Sequence, residues 1–146
     1  NDNSNGQVVV SGRFNDLEKL AIELKKLNIK NLKLPVSAPF HCMLMNPATK
    51  IMDKHLNDVK FSTPKNMIVS NVTAEPSSDP KKIKNLLIDQ IEKPVRWRES
   101  IVNMIKLGCD KFIEIGPGKV LSGLVKRIDR NVKIIPINNI DDLENL

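Results

Sequence analysis

The strongest constraint on the fold is the order of apolar segments in the last third of the chain. Residues 111–116 read KFIEIG and residues 132–137 read VKIIPI, and both are short runs rich in isoleucine. Between them, GPGKVLSGLVKRI places a glycine-rich turn before a segment with helical spacing of apolar residues. Strands that alternate with helices of this length pair in parallel, so this order predicts an α/β fold with a parallel sheet.

The first 37 residues predict a smaller unit of related kind. GQVVVSG at residues 6–12 is a β-branched run closed by glycine, and NLKLPV at residues 31–36 alternates apolar and polar side chains, so both predict strands. Between them, after Asn15 as a candidate helix cap, leucines recur at spacings of three and four. Strand, helix and strand within this length predict a βαβ or split-βαβ unit.

The middle of the chain predicts further helices around one short strand. Residues 44–59 carry apolar side chains on one helical side, and residues 67–69 form a brief apolar run that predicts a buried strand. Asp79 and Pro80 have the character of a helix cap and a first-turn proline, which predicts a helix from there to about Glu92. After Pro94, apolar residues return at helical spacing until Gly108, where we expect that helix to stop.

Composition narrows the functional classes. The 146 residues are 40% hydrophobic and 27% charged, which is typical of a soluble globular domain. No apolar run approaches the roughly 20 residues that span a bilayer. A net charge of +6 and an isoelectric point near 9.4 indicate either an anionic partner or a lysine-rich surface without a partner. Aromatic residues make up only 3%, so stacking platforms are missing and we expect no nucleic acid partner.

The cysteines and the start of the chain carry weaker signals. Cys42 and Cys109 are far apart and lack CxxC spacing, which argues against a disulfide framework or a zinc site. We expect both to be small buried residues in a protein from a reducing compartment. The chain starts at Asn1 without methionine and shows no basic-then-apolar leader, so we expect a piece of a longer protein.

The glycine-rich stretch GPGK at residues 116–119 permits two interpretations. It precedes a predicted helix, where backbone N–H groups and the helix dipole can hold an anion. It lacks the spacing of a Walker loop and of a GxGxxG dinucleotide turn. We therefore favour a tight strand-to-helix turn that requires glycine dihedral angles.

His41 is the candidate for acid–base chemistry. It lies in SAPFHC at residues 37–42, on a turn between a predicted strand and a predicted helix. Turns at the carboxyl ends of strands commonly carry catalytic groups in α/β proteins. A lone histidine is nevertheless more often structural, and His55, in the charged stretch DKHLND, is expected to be so. Composition and spacing alone leave both roles open for His41.

Five sequence blocks occur in an order that resembles one enzyme family. They are GQVVVSG, LPVSAPFHCMLM, SNVTAEP, PVRWRESI and EIGPGKVLSGLVKRI, and the similarity runs from residue 6 to about residue 130. Together they resemble the malonyl-CoA:acyl carrier protein transacylase family of fatty-acid-synthesis acyltransferases. The resemblance implies the second half of an α/β-hydrolase-like acyltransferase core at residues 38–146. It also implies part of a small ferredoxin-like subdomain at residues 1–37.

This family resemblance implies a ping-pong acyl transfer. A serine in a G-x-S-x-G elbow takes malonyl from malonyl-CoA and passes it to the phosphopantetheine thiol of acyl carrier protein. His41 would activate that serine, and an amide or carbonyl acceptor at Gln90 would orient His41. Phe40 would crowd the α-methyl branch of larger substrates. Asn1 and Asn3 would line the pocket.

No G-x-S-x-G occurs in the sequence. The resemblance therefore implies that the nucleophile and the malonate-binding arginine lie in an N-terminal half of the same enzyme, and that the isolated chain is inactive. It implies no metal and no separate cofactor, because the coenzyme A thioester and phosphopantetheine are substrates. Acidic carrier protein and polyphosphorylated coenzyme A would be partners for the basic surface, with Lys126 and Arg127 as candidate contacts.

Two alternatives from other classes stay open at the level of sequence. One is an acyltransferase module of a polyketide synthase, which would differ in taking longer-branched substrates and in its fusion to other domains. The other is a non-catalytic basic α/β binding module, for which the missing serine is the best argument. The compartment would be the cytoplasm in a bacterium, or a plastid or mitochondrion in a eukaryote, with no membrane partner.

Overall fold

Helices and short strands alternate along the chain in this computed structural model, which describes residues 1–145. In chain order the elements are β1 (Asp2–Ser4), β2 (Gln7–Val8), α1 (Phe14–Lys26), a 3₁₀ turn (Met43–Met45), α2 (Asn46–Asn57), β3 (Ile68–Val69), β4 (Pro76–Ser77), α3 (Pro80–Asp89), α4 (Trp97–Lys106), β5 (Lys111–Ile115), α5 (Val120–Ile128), β6 (Lys133–Ile137) and a second 3₁₀ turn (Asp141–Asn145). The mixed α/β class predicted from the sequence is confirmed.

The C-terminal third forms the predicted parallel pair. β5 and β6 pair over five residues, from Lys111 opposite Lys133 to Ile115 opposite Ile137. The connecting helix α5 packs on both strands. Apolar side chains buried in this region come from α4, α5 and β6, and they are Ile101, Leu124, Val125, Ile135 and Ile137. The core therefore lies where these helices cover the parallel pair, and β1 packs against both helices from the other end of the chain.

The glycine turn before α5 is occupied by the protein itself. Gly116 has φ 139° and Gly118 has φ 97°, in the region that favours glycine. The carboxylate of Glu114 accepts hydrogen bonds from the N–H groups of Leu121 at 3.0 Å and Ser122 at 2.7 Å. Because a carboxylate already holds the amides that an external anion would need, the structure supports the tight-turn interpretation.

The N-terminal third departs from its prediction. β1 and β2 form an antiparallel hairpin, and β2 ends at Val8 instead of continuing to residue 12. Asn15 lies inside α1, whose N-cap is Arg13. Residues 31–36 form no strand, and Leu32 is 83% exposed. An alternating pattern yields a strand only when a neighbouring strand accepts its backbone hydrogen bonds, so the predicted βαβ unit is wrong here. The domain boundary at residue 37 stays a prediction.

The middle region follows its prediction more closely. The side chain of Asp79 accepts a hydrogen bond from Lys81 N at 2.9 Å and caps α3, as predicted. α3 ends at Asp89, three residues before the predicted end, because the chain turns there. β3 pairs antiparallel with β4, and Ile68 of β3 is 45% exposed instead of buried.

Two surface features complete the fold. Cys109 is exposed, so its predicted burial is wrong, whereas Cys42 is half-buried. Large apolar side chains are exposed along α1, along residues 27–36 and on β5, where Ile115 is 82% exposed. Among residues 1–145, the helices are too short or too polar to cross a membrane.

Candidate active site

The candidate site is centred on His41, which adopts an unusual backbone conformation. Its φ angle is 61°, a left-handed value that few residues other than glycine adopt. The His41 N–H donates to the carbonyl of Ile91 at 3.1 Å, on the turn after α3. Cys42 closes the other side of the His41 turn, since its Sγ donates to the carbonyl of Pro39 at 3.2 Å. The surrounding contacts therefore stabilise a conformation that is costly in isolation.

The ring of His41 is oriented by the main chain. Its Nδ1 lies 2.7 Å from the carbonyl oxygen of Gln90, 49 residues further along the chain. A carbonyl only accepts hydrogen bonds, so Nδ1 carries the proton in the neutral ring and Nε2 keeps its lone pair. A half-buried imidazole with a free Nε2 can accept a proton from a hydroxyl or thiol placed next to it. This arrangement has the chemistry of a general base.

Gln90 contributes through its backbone. It is the C-cap of α3, and its N–H donates to Leu86 O at 3.0 Å. Its side chain lines a cavity of about 100 Å³ between α3 and β3, beside Ile68 and Ser70. The two residues named for catalysis are thus brought together, although their assigned roles remain predictions. Every residue has a main-chain carbonyl, so the residue pattern could not identify Gln90 as the acceptor. Only the family resemblance predicted Gln90.

Three further residues were predicted for the site, namely Phe40, Asn1 and Asn3. Phe40 precedes the base and is 47% exposed, so it is not packed in the core. The amino group of Asn1 donates a hydrogen bond to Val9 O at 2.7 Å. The side-chain Oδ1 of Asn1 accepts a hydrogen bond from Val95 N at 3.4 Å. Asn3 is half-buried in β1. The roles of Phe40, Asn1 and Asn3 in a pocket stay predictions.

Two surface residues singled out in the sequence have ordinary positions. Arg127 donates to Gln7 Oε1 at 2.7 Å, and Lys126 is exposed on the same helix. His55 is exposed on α2, as expected for a solvated residue. Within the part of the chain that the structure describes, there is no group of three or more histidine, cysteine, aspartate or glutamate side chains that could hold a metal ion.

Sequence reasoning missed two polar contacts that fasten the segments around the site. Asn46 Nδ2 donates to Glu92 Oε1 at 3.1 Å, and this joins the start of α2 to the turn that carries Gln90. Arg96 Nη1 donates to the carbonyl of Thr73 at 3.1 Å and so fastens the loop after β3. Arg96 lies in the block PVRWRESI, and membership of that block is the sequence feature that could have pointed to its contact. Asn46 and Glu92 are 46 residues apart and carry no such signal.

Fold and site together define an α/β protein in which a main-chain carbonyl orients the ring of a half-buried histidine. The chain is 42% identical over 146 residues to malonyl CoA-acyl carrier protein transacylase of Bacillus subtilis. This alignment covers 99% of the chain and 46% of that relative. It is therefore a homologue of malonyl CoA-acyl carrier protein transacylases, and the resemblance predicted from the five blocks is confirmed. The chain spans about half the length of the curated relatives that it matches. No protein-family model matches it.

Solved structures agree with this relationship. An acyl carrier protein S-malonyltransferase from Vibrio cholerae superposes with a TM-score of 0.86 at 39% identity, covering 92% of this chain and 44% of that chain. A malonyl-transacylase in complex with its type II PKS acyl-carrier protein superposes with a TM-score of 0.85 at 32% identity, again covering 92% of this chain and 44% of the other. The fold of this half is therefore that of the malonyltransferases.

Proposed function

We propose that this chain supplies the base for malonyl transfer from malonyl-CoA to acyl carrier protein in fatty acid biosynthesis, as the C-terminal half of such an enzyme. The observation that carries this proposal is the 2.7 Å contact between His41 Nδ1 and the Gln90 carbonyl, which leaves Nε2 free. The relatives and solved neighbours named for malonyl transfer support the substrate class. The names of the curated relatives favour this function over a polyketide synthase module and over a non-catalytic binding module.

In the first half-reaction, His41 Nε2 accepts the proton of a serine hydroxyl carried by the N-terminal half. The serine oxygen forms a bond with the thioester carbonyl carbon of malonyl-CoA, and the carbon–sulfur bond breaks. The departing thiolate takes the proton from Nε2 and leaves as coenzyme A. The result is a malonyl ester on serine and a neutral His41.

The second half-reaction uses the same nitrogen. The phosphopantetheine thiol of the carrier protein gives its proton to Nε2 and attacks the ester carbonyl carbon. The carbon–oxygen bond breaks, and the serine oxygen regains the proton from Nε2. His41 therefore acts as base and then as acid in each half, and it needs one fixed tautomer throughout.

A neutral carbonyl suits this cycle better than a carboxylate. In serine hydrolases the third group is commonly an aspartate, which holds the tautomer and also adds a negative charge. The Gln90 carbonyl holds the tautomer without that charge. Because the malonyl group is itself anionic, a neutral acceptor avoids an additional repulsion in the site.

The partners are malonyl-CoA, acyl carrier protein and the half of the enzyme that carries the serine, and coenzyme A and phosphopantetheine enter as substrates. The net charge of +6 complements an acidic carrier protein. The location is that of fatty acid synthesis, which is the cytoplasm in a bacterium and a plastid or mitochondrion in a eukaryote.

Replacing His41 tests the proposal in the protein that combines both halves. We expect His41→Ala to fold normally, since a half-buried turn residue contributes little core area, and to slow malonyl transfer by ~10²–10⁴-fold, the usual contribution of a positioned base. His55→Ala, the other histidine of this chain, is the matched control and should keep wild-type rates. A folded His41→Ala protein with wild-type turnover would disprove the assignment.

A further inference from the structure

The two segments that meet at His41 are joined a second time by side chains that the acyl-transfer chemistry does not use. Asn46, the first residue of α2, donates from Nδ2 to Oε1 of Glu92 at 3.1 Å. Glu92 belongs to the turn after α3 that presents the Gln90 and Ile91 carbonyls to His41. The base and this side-chain pair therefore bridge the same two segments.

The amino end of α2 provides a physical reason for the second contact. Its first turn contains no acidic residue, and its N-cap, Met45, makes no side-chain capping hydrogen bond. An acceptor from another part of the chain can therefore hold the first residue of the helix, and the Glu92 carboxylate accepts a hydrogen bond from the Asn46 side chain there. Hydrogen bonds from Thr49 and then Asn46 hold the pKa of Glu92 below its ordinary value of 4.5.

The backbone of His41 depends on such support. A left-handed φ of 61° at a residue other than glycine persists only where neighbouring contacts outweigh its cost. Only the 3₁₀ turn Met43–Met45 and Cys42 separate His41 from Asn46. An anchor at Asn46 therefore limits how far the His41 turn can move relative to the Gln90 carbonyl.

We propose that Glu92 is a positioning residue for His41, because its hydrogen bond to Asn46 anchors the start of α2 and thereby keeps the His41 ring on the Gln90 carbonyl. The catalytic consequence rests on the proposed function, whereas the orientation of the ring does not. Glu92 itself takes no part in proton transfer.

The first test is kinetic and uses the protein that combines both halves. We expect Glu92→Ala to lower kcat about tenfold with KM for malonyl-CoA unchanged, because the base is displaced while substrate contacts are kept. Glu92→Gln should restore kcat to within about twofold, since its amide oxygen accepts the same hydrogen bond from Asn46. Glu18→Ala, which removes an exposed glutamate from α1, is the matched control.

The second test reads the ring directly by nitrogen NMR, with the His41 signals assigned by their loss in His41→Gln. Wild-type protein should show one neutral tautomer, with the proton on Nδ1. Glu92→Ala should show a mixture that includes the Nε2–H tautomer, and Glu92→Gln should resemble wild type. This readout needs no turnover, so it judges Glu92 even if the wild-type protein transfers no malonyl group, which would refute only the proposed function.

Two results would show that Glu92 does not position His41. One is a Glu92→Ala protein that matches Glu18→Ala in both kcat and tautomer. Another is a Glu92→Gln protein as impaired as Glu92→Ala, because the effect would then come from charge and not from the hydrogen bond. If Glu92→Ala fails to fold, Asn46→Ala removes the same hydrogen bond from the other side. An unchanged tautomer in folded Asn46→Ala protein would equally contradict the inference.

Discussion

A single backbone atom defines the chemistry available at residue 41. The Gln90 carbonyl selects the Nδ1–H tautomer of His41, and that selection leaves a lone pair on Nε2. The left-handed backbone of His41 directs the ring toward that carbonyl while the His41 N–H binds Ile91 O. At this scale, the identity of the side chain at position 90 matters less than the path of its backbone.

The backbone origin of the acceptor makes Gln90→Ala a mild substitution. The carbonyl remains, so we expect turnover to stay within about twofold of wild type, the effect of a typical surface change. Gln90→Pro is the contrasting variant, because proline lacks the N–H that binds Leu86 O and distorts the turn. Its turnover should fall as far as that of His41→Ala. A large loss in Gln90→Ala protein that folds normally would show that the amide side chain is the acceptor in use.

Phe40 permits a separate test of substrate selection. The ring is 47% exposed and precedes the base, so Phe40→Ser enlarges the space next to His41 without removing core packing. We expect discrimination between malonyl and methylmalonyl groups to fall by ~1–3 kcal/mol, the usual value of a small apolar difference. Competition between the two coenzyme A thioesters measures this ratio. Unchanged selectivity would assign Phe40 no role in the pocket.

Elements are joined to one another in this chain by polar side chains at their ends. Glu114, on β5, caps the amino end of α5 and so fastens the start of the helix to the strand. Burial raises the pKa of Glu114, but the hydrogen bonds from Ser122 and Leu121 together outweigh burial and leave that pKa below the ordinary value of 4.5. The folded state thus favours the charged carboxylate.

This cap predicts a pH-dependent effect on α5. Glu114→Ala should speed hydrogen exchange of the Leu121 and Ser122 amides roughly fivefold at neutral pH, the equivalent of a lost cap of about 1 kcal/mol. Because the folded pKa is depressed, the stabilisation is present above pH 4.5 and is lost as the pH falls through the folded value. The ratio of mutant to wild-type exchange should therefore shrink in acid. Glu75→Ala serves as control, and a ratio that does not change with pH would contradict the assignment.

At the scale of the whole molecule, the described part of the chain leaves much apolar surface uncovered. Leu32 is 83% exposed, Ile115 on β5 is 82% exposed, and several large apolar side chains of α1 are also accessible. Soluble monomers rarely leave such surfaces open, and the outer edge of a two-stranded parallel sheet invites further pairing. This fits a chain that spans about half the length of its relatives.

The isolated 146-residue chain permits tests of both its association and its reactivity. It should self-associate, because large apolar side chains are exposed on its surface. Light scattering on a sizing column measures this association. The chain should also form no malonyl ester on incubation with malonyl-CoA, since a base without a serine elbow has no nucleophile to activate. Intact-mass measurement checks the second point. A stable monomer would contradict the half-enzyme proposal, and a serine-bound malonyl adduct would relocate the nucleophile to this chain.

Local features of the fold were predictable from the sequence alone. The β5–α5–β6 order, the Asp79 cap and the glycine turn at residues 116–119 depend on neighbouring residues, and each was predicted correctly. The family was readable too, because its blocks preserve short motifs in order. The strand expected at residues 31–36 failed because strand formation requires a pairing partner, which a periodic pattern does not reveal.

Only the tertiary structure decided what His41 faces. Its acceptor lies 49 residues away and is a carbonyl that every residue type possesses, so no residue pattern marks it. The Asn46–Glu92 contact is equally distant along the chain and joins two side chains that look like ordinary helix-surface residues. Sequence therefore determined which elements form and which family they belong with. The orientation of the His41 ring arose from folding, because hydrogen bonds between distant segments depend on where the backbone brings them together.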